Sequence, residues 1–114
     1  MLAETGNVVM KAQDINTKDR EERLALIKEH PHFIKYLQVQ DEESCKTALD
    51  VNPNVICLVR SQTDDLCIFA LERDPVVFAE MRNRSGVVIE KALELDADNV
   101  YYLDQSDFEI YKKN

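Results

Sequence analysis

The sequence predicts an all-α protein built from tandem repeats, and three observations carry that prediction. Prolines recur at a fixed step of 22 residues, several unrelated columns keep the same step, and the residues that strands and hairpins need are nearly absent.

The prolines lie in matching contexts: His30-Pro31-His32-Phe33, Asn52-Pro53-Asn54-Val55 and Asp74-Pro75-Val76-Val77. The next step lands on Asp96-Ala97-Asp98-Asn99, which keeps the polar residue and loses the proline. Ala48-Leu49, Ala70-Leu71 and Ala92-Leu93 form a second column, with Leu26-Ile27 one unit earlier. Cys45, Cys67 and Ile89 form a third, and Asp19, Asp41, Thr63, Ser85 and Asp107 a fourth. Agreement among independent columns separates a true repeat from a chance dipeptide.

Each unit reads as two short helices. The first opens on a polar cap followed by proline, as in Asn52-Pro53, where the missing N–H costs nothing. Its apolar residues are three and four apart: Phe33, Ile34 and Leu37, then Val55, Ile56 and Val59. The second opens on the Asp/Thr/Ser column. Glu42-Glu43 and Asp64-Asp65 fall in its first turn, where acid suits the helix dipole. Its stripe is Leu66, Cys67, Ala70 and Leu71, then Val88, Ile89, Ala92 and Leu93.

The expected first helices are 8–15, 31–38, 53–60, 75–82 and 97–103, and the second helices 20–29, 42–51, 64–73, 86–95 and 107–113. Connections of two or three residues then hold each helix against its neighbours. The expected product is one domain over 1–114, a short curved stack of about five units with irregular outer ones.

Composition bounds the function. The 114 residues are 45% hydrophobic and 32% charged, enough for a core. A net charge of −8 argues against direct binding to nucleic acid, which needs a basic face, and against an anionic membrane surface. No apolar run approaches the ~20 residues of a membrane span. Met1-Leu2-Ala3-Glu4 lacks the basic and apolar regions of a signal peptide. A cytoplasmic protein with three reduced cysteines is expected.

The segments Gln40-Asp41-Glu42-Glu43-Ser44-Cys45-Lys46-Thr47-Ala48-Leu49 and Gln62-Thr63-Asp64-Asp65-Leu66-Cys67-Ile68-Phe69-Ala70-Leu71 each lead to Asn-Pro or Asp-Pro. In this they resemble the repeats of the "domain of unknown function 4116" family, found in phage, giant-virus and some cellular proteins. The resemblance covers roughly residues 30–95. It departs at Arg84-Ser85-Gly86-Val87-Val88-Ile89, where the acidic pair and the Cys are gone, and fades in the outer units. It implies the fold and a phage or viral source, and it transfers no catalytic or binding residue.

Chemistry-bearing residues mostly obey the columns. Cys45 and Cys67 share a slot with Ile89, so a buried packing role is expected rather than a nucleophile; Cys57 falls on an outer row. His30 and His32 have no converging ligands in sequence, and no phosphate-binding loop, His-Glu-x-x-His helix or nucleophile elbow occurs. No enzyme, cofactor or metal is expected.

Residues that break the columns need another reason. Ile68 stands between Lys46 and Glu90 in its column, and Phe69 between Thr47 and Lys91. Val76 and Val87 break polar rows more mildly. Such apolar residues are candidate interface anchors, unless the curve of the stack or the N-terminal segment covers them. A second candidate surface is acidic: Glu90, Glu94, Asp96, Asp98, Asp104, Asp107 and Glu109. The expected function is a non-enzymatic protein-interaction module, phage or viral by its resemblance, that binds and modulates a host protein. The alternatives are an acidic decoy that mimics nucleic acid toward a basic host protein, and a self-assembling subunit that buries Ile68 and Phe69 against another copy.

Overall fold

The computed structural model describes residues 12–113, and the part of the expected first helix at 8–11 lies outside them. Ten helices alternate between two kinds among these residues, with no strand. Five short 3-10 helices, η1 (Ala12–Thr17), η2 (Pro31–Tyr36), η3 (Pro53–Leu58), η4 (Pro75–Glu80) and η5 (Ala97–Tyr102), interleave with five α-helices. These are α1 (Arg20–Glu29), α2 (Glu42–Val51), α3 (Asp64–Arg73), α4 (Gly86–Leu95) and α5 (Gln105–Lys113). No helix among the described residues is long and apolar enough to cross a membrane.

The first helix of each unit is thus a 3-10 helix; η2 to η5 end one or two residues before the boundary that α periodicity suggests, whereas η1 ends at Thr17, two residues beyond the expected 15. Over six residues, apolar spacings of three and four fit either helix. Residues three apart within η3, such as Val55 and Leu58, eclipse in the 3-10 form, Val55 buried and Leu58 half-buried against the core. The connections also differ from expectation: a single residue joins α2 to η3, and five residues join η3 to α3.

That single residue serves both helices. Asn52 donates its N–H to Ala48 O, closing α2, and its side chain accepts from the N–H of Asn54, opening η3. Proline at 53 disfavours helical φ/ψ at Asn52, which is extended. Asp74 and Asp96 repeat the arrangement, the latter without a proline. His30 makes no such cap and stacks on Phe33 instead, with centroids 4.7 Å apart.

The α-helices start on the expected column. Asp19, Asp41, Thr63 and Ser85 each accept from the backbone N–H three residues on. The last unit departs. Asp104 caps α5, while Asp107, the column residue, is buried and accepts from the N–H of Asp104 in a reciprocal cap. This exchange starts α5 at Gln105, two residues before the expected start. Burial works to raise the Asp41 carboxyl, but hydrogen bonds from the Ser44 hydroxyl and amide hold it below its ordinary pKa. Its stabilising contribution is therefore complete above the ordinary carboxylate range and is lost as pH falls through the lowered value.

Stacking makes the core. Ile27, Leu49 and Leu71 are fully buried, as are Ile34, Ile56 and Phe78, one from each successive unit. Ala48, Ala70 and Ala92 are also sealed and, being small, let the α-helices approach. The stack measures 62 × 22 × 20 Å, a rod whose nearly equal short axes leave only a shallow curve.

The five-residue connections carry polar backbone that must be satisfied. Gln40 donates to Ile34 O and Leu58 O and accepts from Arg60 N–H. Gln62 donates to Ile56 O and accepts from Arg82 N–H. Arg60 and Arg82 reach back to carbonyls of the preceding unit, at Leu37 and Gln38 and at Cys57 and Val59. Asn16 does the same work in the first unit, donating to Tyr36 O and accepting from Gln38 N–H.

Replacing Asn52 or Thr63 by Ala is expected to destabilise the fold by about 0.5–2 kcal/mol, read by denaturant melts, and Asn54→Ala to be nearly neutral. Asn54 contributes only its backbone N–H to the cap, so equal losses at all three positions contradict the cap assignment.

Candidate protein-interaction surface

The column-breaking pair sits on the outer face of α3. Ile68 and Phe69 are both half-buried rather than exposed, and they open onto different grooves. Phe69 lines a groove of about 430 Å³ with Lys28, Lys46, Thr47, Asp50, Val51 and Arg73. Ile68 lines a smaller one of about 220 Å³ with Val87, Glu90, Lys91 and Glu94.

What half-covers Phe69 is charge. The Arg73 guanidinium lies 3.4 Å from the ring centroid, and Lys46 Nζ lies 5.6 Å away. Arg73 is fixed by donating to Asp50 Oδ1 at 2.8 Å and to the Phe69 carbonyl at 2.9 Å. Lys46 pairs with Glu42 at 2.9 Å, and that hydrogen bond raises its ammonium pKa, so it stays charged. Lys28 has no ion-pair partner among the described residues. The groove rim thus holds three cations against one carboxylate, in a chain of net charge −8. Across α3 the sign reverses, with Glu90 and Glu94 against Lys91.

The structure brings Ile68, Val87, Glu90 and Glu94 together and places Phe69 on the other flank of the same helix. Val76, Asp96, Asp98 and Asp104 line neither groove. Asp96 and Asp104 are spent on helix caps, and Asp107 is buried with Arg84 Nη1 at 3.7 Å. Val76 is 57% exposed, isolated from both grooves. Among the described residues, no group of three or more His, Cys, Asp and Glu is placed to hold a metal.

Cys45 and Cys67 are fully buried and Cys57 is exposed. Burial pushes both buried thiols up to about 11, away from the thiolate a nucleophile needs.

Three column breaks were not singled out in the sequence. Arg23 takes the slot of Cys45 and Cys67 one unit earlier, and donates to Lys18 O at 3.4 Å as Cys45 Sγ donates to Gln40 O at 3.9 Å. Asn99 takes the slot of Val55 and Val77, is buried, and donates to Pro75 O and Ala92 O. Arg84 takes the slot of Gln40 and Gln62 and lies 4.1 Å over the Phe78 ring. All three could be found by running the columns through every unit, polar residues included.

Comparison with protein-family models, with curated proteins and with solved structures finds no match.

A thiol reagent at a pH of about 8 is expected to modify Cys57 within minutes and to leave Cys45 and Cys67 untouched until the chain unfolds. Mass spectrometry of the labelled native protein checks this; rapid labelling of all three thiols contradicts the burial of that column.

Proposed function

We propose that this chain is a non-enzymatic protein-interaction module working in the cytoplasm, and that it receives its partner on the outer face of α3. The observation that carries this reading is Phe69. It is a large aromatic ring at a position where neighbouring units have Thr47 and Lys91, lying in an open groove under two cations. Aromatic anchors flanked by Arg are the groups that dominate binding at protein interfaces. The fitting partner segment places an apolar side chain beside Phe69 and a carboxylate toward Lys28. The acidic flank lined by Glu90 and Glu94 favours a cation one helix away.

The resemblance to the repeats of phage and giant-virus proteins adds that such a partner is a host protein whose activity is modulated. The acidic-decoy reading has less support, because Asp96, Asp104 and Asp107 serve helix caps or an internal ion pair.

Phe69→Ala and Ile68→Ala test the proposal in a pull-down from host lysate read by mass spectrometry, beside denaturant melts. A partner held by the native protein is expected to be weakened by at least ~1–2 kcal/mol on loss of Phe69. The expected stability cost is about 1–2 kcal/mol, below the ~3–5 kcal/mol of a fully buried Phe, because the ring is half-buried and part of its contact is with exposed cations. A full core-sized stability loss with binding unchanged overturns the assignment.

A further inference from the structure

We infer that the partner segment is an amphipathic helix, acidic at one end and basic at the other, that lies across α3 in one direction and fills both grooves. This rests on the reading of the outer face of α3 as the partner surface. The observation is which charges the fold leaves over. In the Phe69 groove, Lys46 pairs with Glu42 and Arg73 with Asp50. Lys28 is the lining charge left without an ion pair among the described residues. In the Ile68 groove, Lys91 pairs with Glu94 at 3.0 Å, and Glu90 is left over in the same way. Internal pairing thus leaves a cation on one side of α3 and a carboxylate on the other, both exposed.

Each groove also keeps apolar surface open. Beside Phe69 stands Val51, 51% exposed, and beside Ile68 stands Val87, 52% exposed. Val87 breaks a column that is otherwise acidic, with Glu21, Glu43, Asp65 and Glu109. The grooves flank a single α-helix, so their floors are about 8–10 Å apart, the spacing of packed helices. In a helix, residues i and i+7 share a face and lie about 10 Å apart, so one helix sets an apolar side chain in each groove. An extended segment covers that distance in about three residues, and side chains three apart point to opposite faces.

The ends of the bound helix then meet unlike charges. Its acidic end faces Lys28 and its basic end faces Glu90. Acid in the first turn and base in the last also suit the dipole of the bound helix, so its N-terminus lies on the α2 side. The reversed helix brings like charges together at both ends.

NMR titration of the whole isotope-labelled chain tests this with two synthetic peptides of about 15 residues, roughly 22 Å long as helices. The first carries Glu in its first turn, Leu along one face and Lys in its last turn. The second has the same composition with Glu and Lys mixed at both ends. The first is expected to shift amides of α2, α3 and α4 and to bind at least about threefold tighter, an advantage that shrinks in high salt. Lys28→Glu and Glu90→Lys should each weaken it by about threefold or more. The double variant should restore it, because the peptide turns round. Both columns already carry the new residue, Glu at 72 and 94 and Lys at 46, and circular dichroism checks that the variants are folded. A nitroxide on the acidic end should broaden α2 amides in the native protein and α4 amides in the double variant. Equal affinity of the two peptides, no binding up to millimolar concentration, or a double variant as weak as the single ones overturns the inference. A host partner that Phe69→Ala releases and the charge variants retain overturns it too, and leaves the α3 surface standing. Retention of both peptide and partner by Phe69→Ala overturns that surface as well.

Discussion

The residue between each α-helix and the following 3-10 helix constrains the rest of the rod. Asn52 and Asp74 lie in extended conformation before a proline, close one helix through their N–H and open the next through their side chain. With only one residue at that corner, the two helices cannot swing independently. The angle repeats from unit to unit, and equivalent positions superpose along the stack. The longer corner on the other side has five residues and is held by side chains: Gln40 and Gln62 knit its backbone to the neighbouring unit, and Arg60 and Arg82 reach back over it. One corner is fixed by covalent geometry and the other by hydrogen bonds between units.

This division explains what was legible in the sequence. The prolines, the Asp/Thr/Ser caps and the Ala-Leu pairs act within one unit or face the core, so their period reads directly as helix starts and buried faces. The 3-10 form did not read out, because two turns are too short for the spacing of Phe33, Ile34 and Leu37 to distinguish three residues per turn from 3.6. The glutamines and arginines of the connections looked like ordinary polar surface. Their hydrogen bonds span about one repeat in sequence, and no local pattern marks them. The start of α5 was misplaced for a related reason. Asp104 and Asp107 can each cap a helix, and the column points to Asp107, whereas the reciprocal bonds between them make Asp104 the cap.

The candidate surface was half legible. Phe69 and Ile68 stood out because their columns are polar elsewhere, but the sequence could not show that Arg73 lies on the ring or that the two residues face different grooves. Nor could it show which carboxylates are free. Several acidic residues near the C-terminal end proved to be structural, which moves the electrostatic character of the candidate site from an acidic field to a basic rim around an aromatic ring.

A rod of this kind holds together through contacts between adjacent units, so interior units have two neighbours and end units have one. The apolar burial that holds η3 and α3 on both sides acts on η5 and α5 from one side only. An end unit in that position must either substitute polar residues in its outward columns or find a further neighbour. Among the described residues the last unit keeps Val100, Ile110 and Tyr111 in these columns, 37%, 38% and 41% exposed, while Asp104 and Asp107 go to capping its own helix. The side chains that preserve the 22-residue register at this end are therefore held from one side, by α4 and η4, among the described residues.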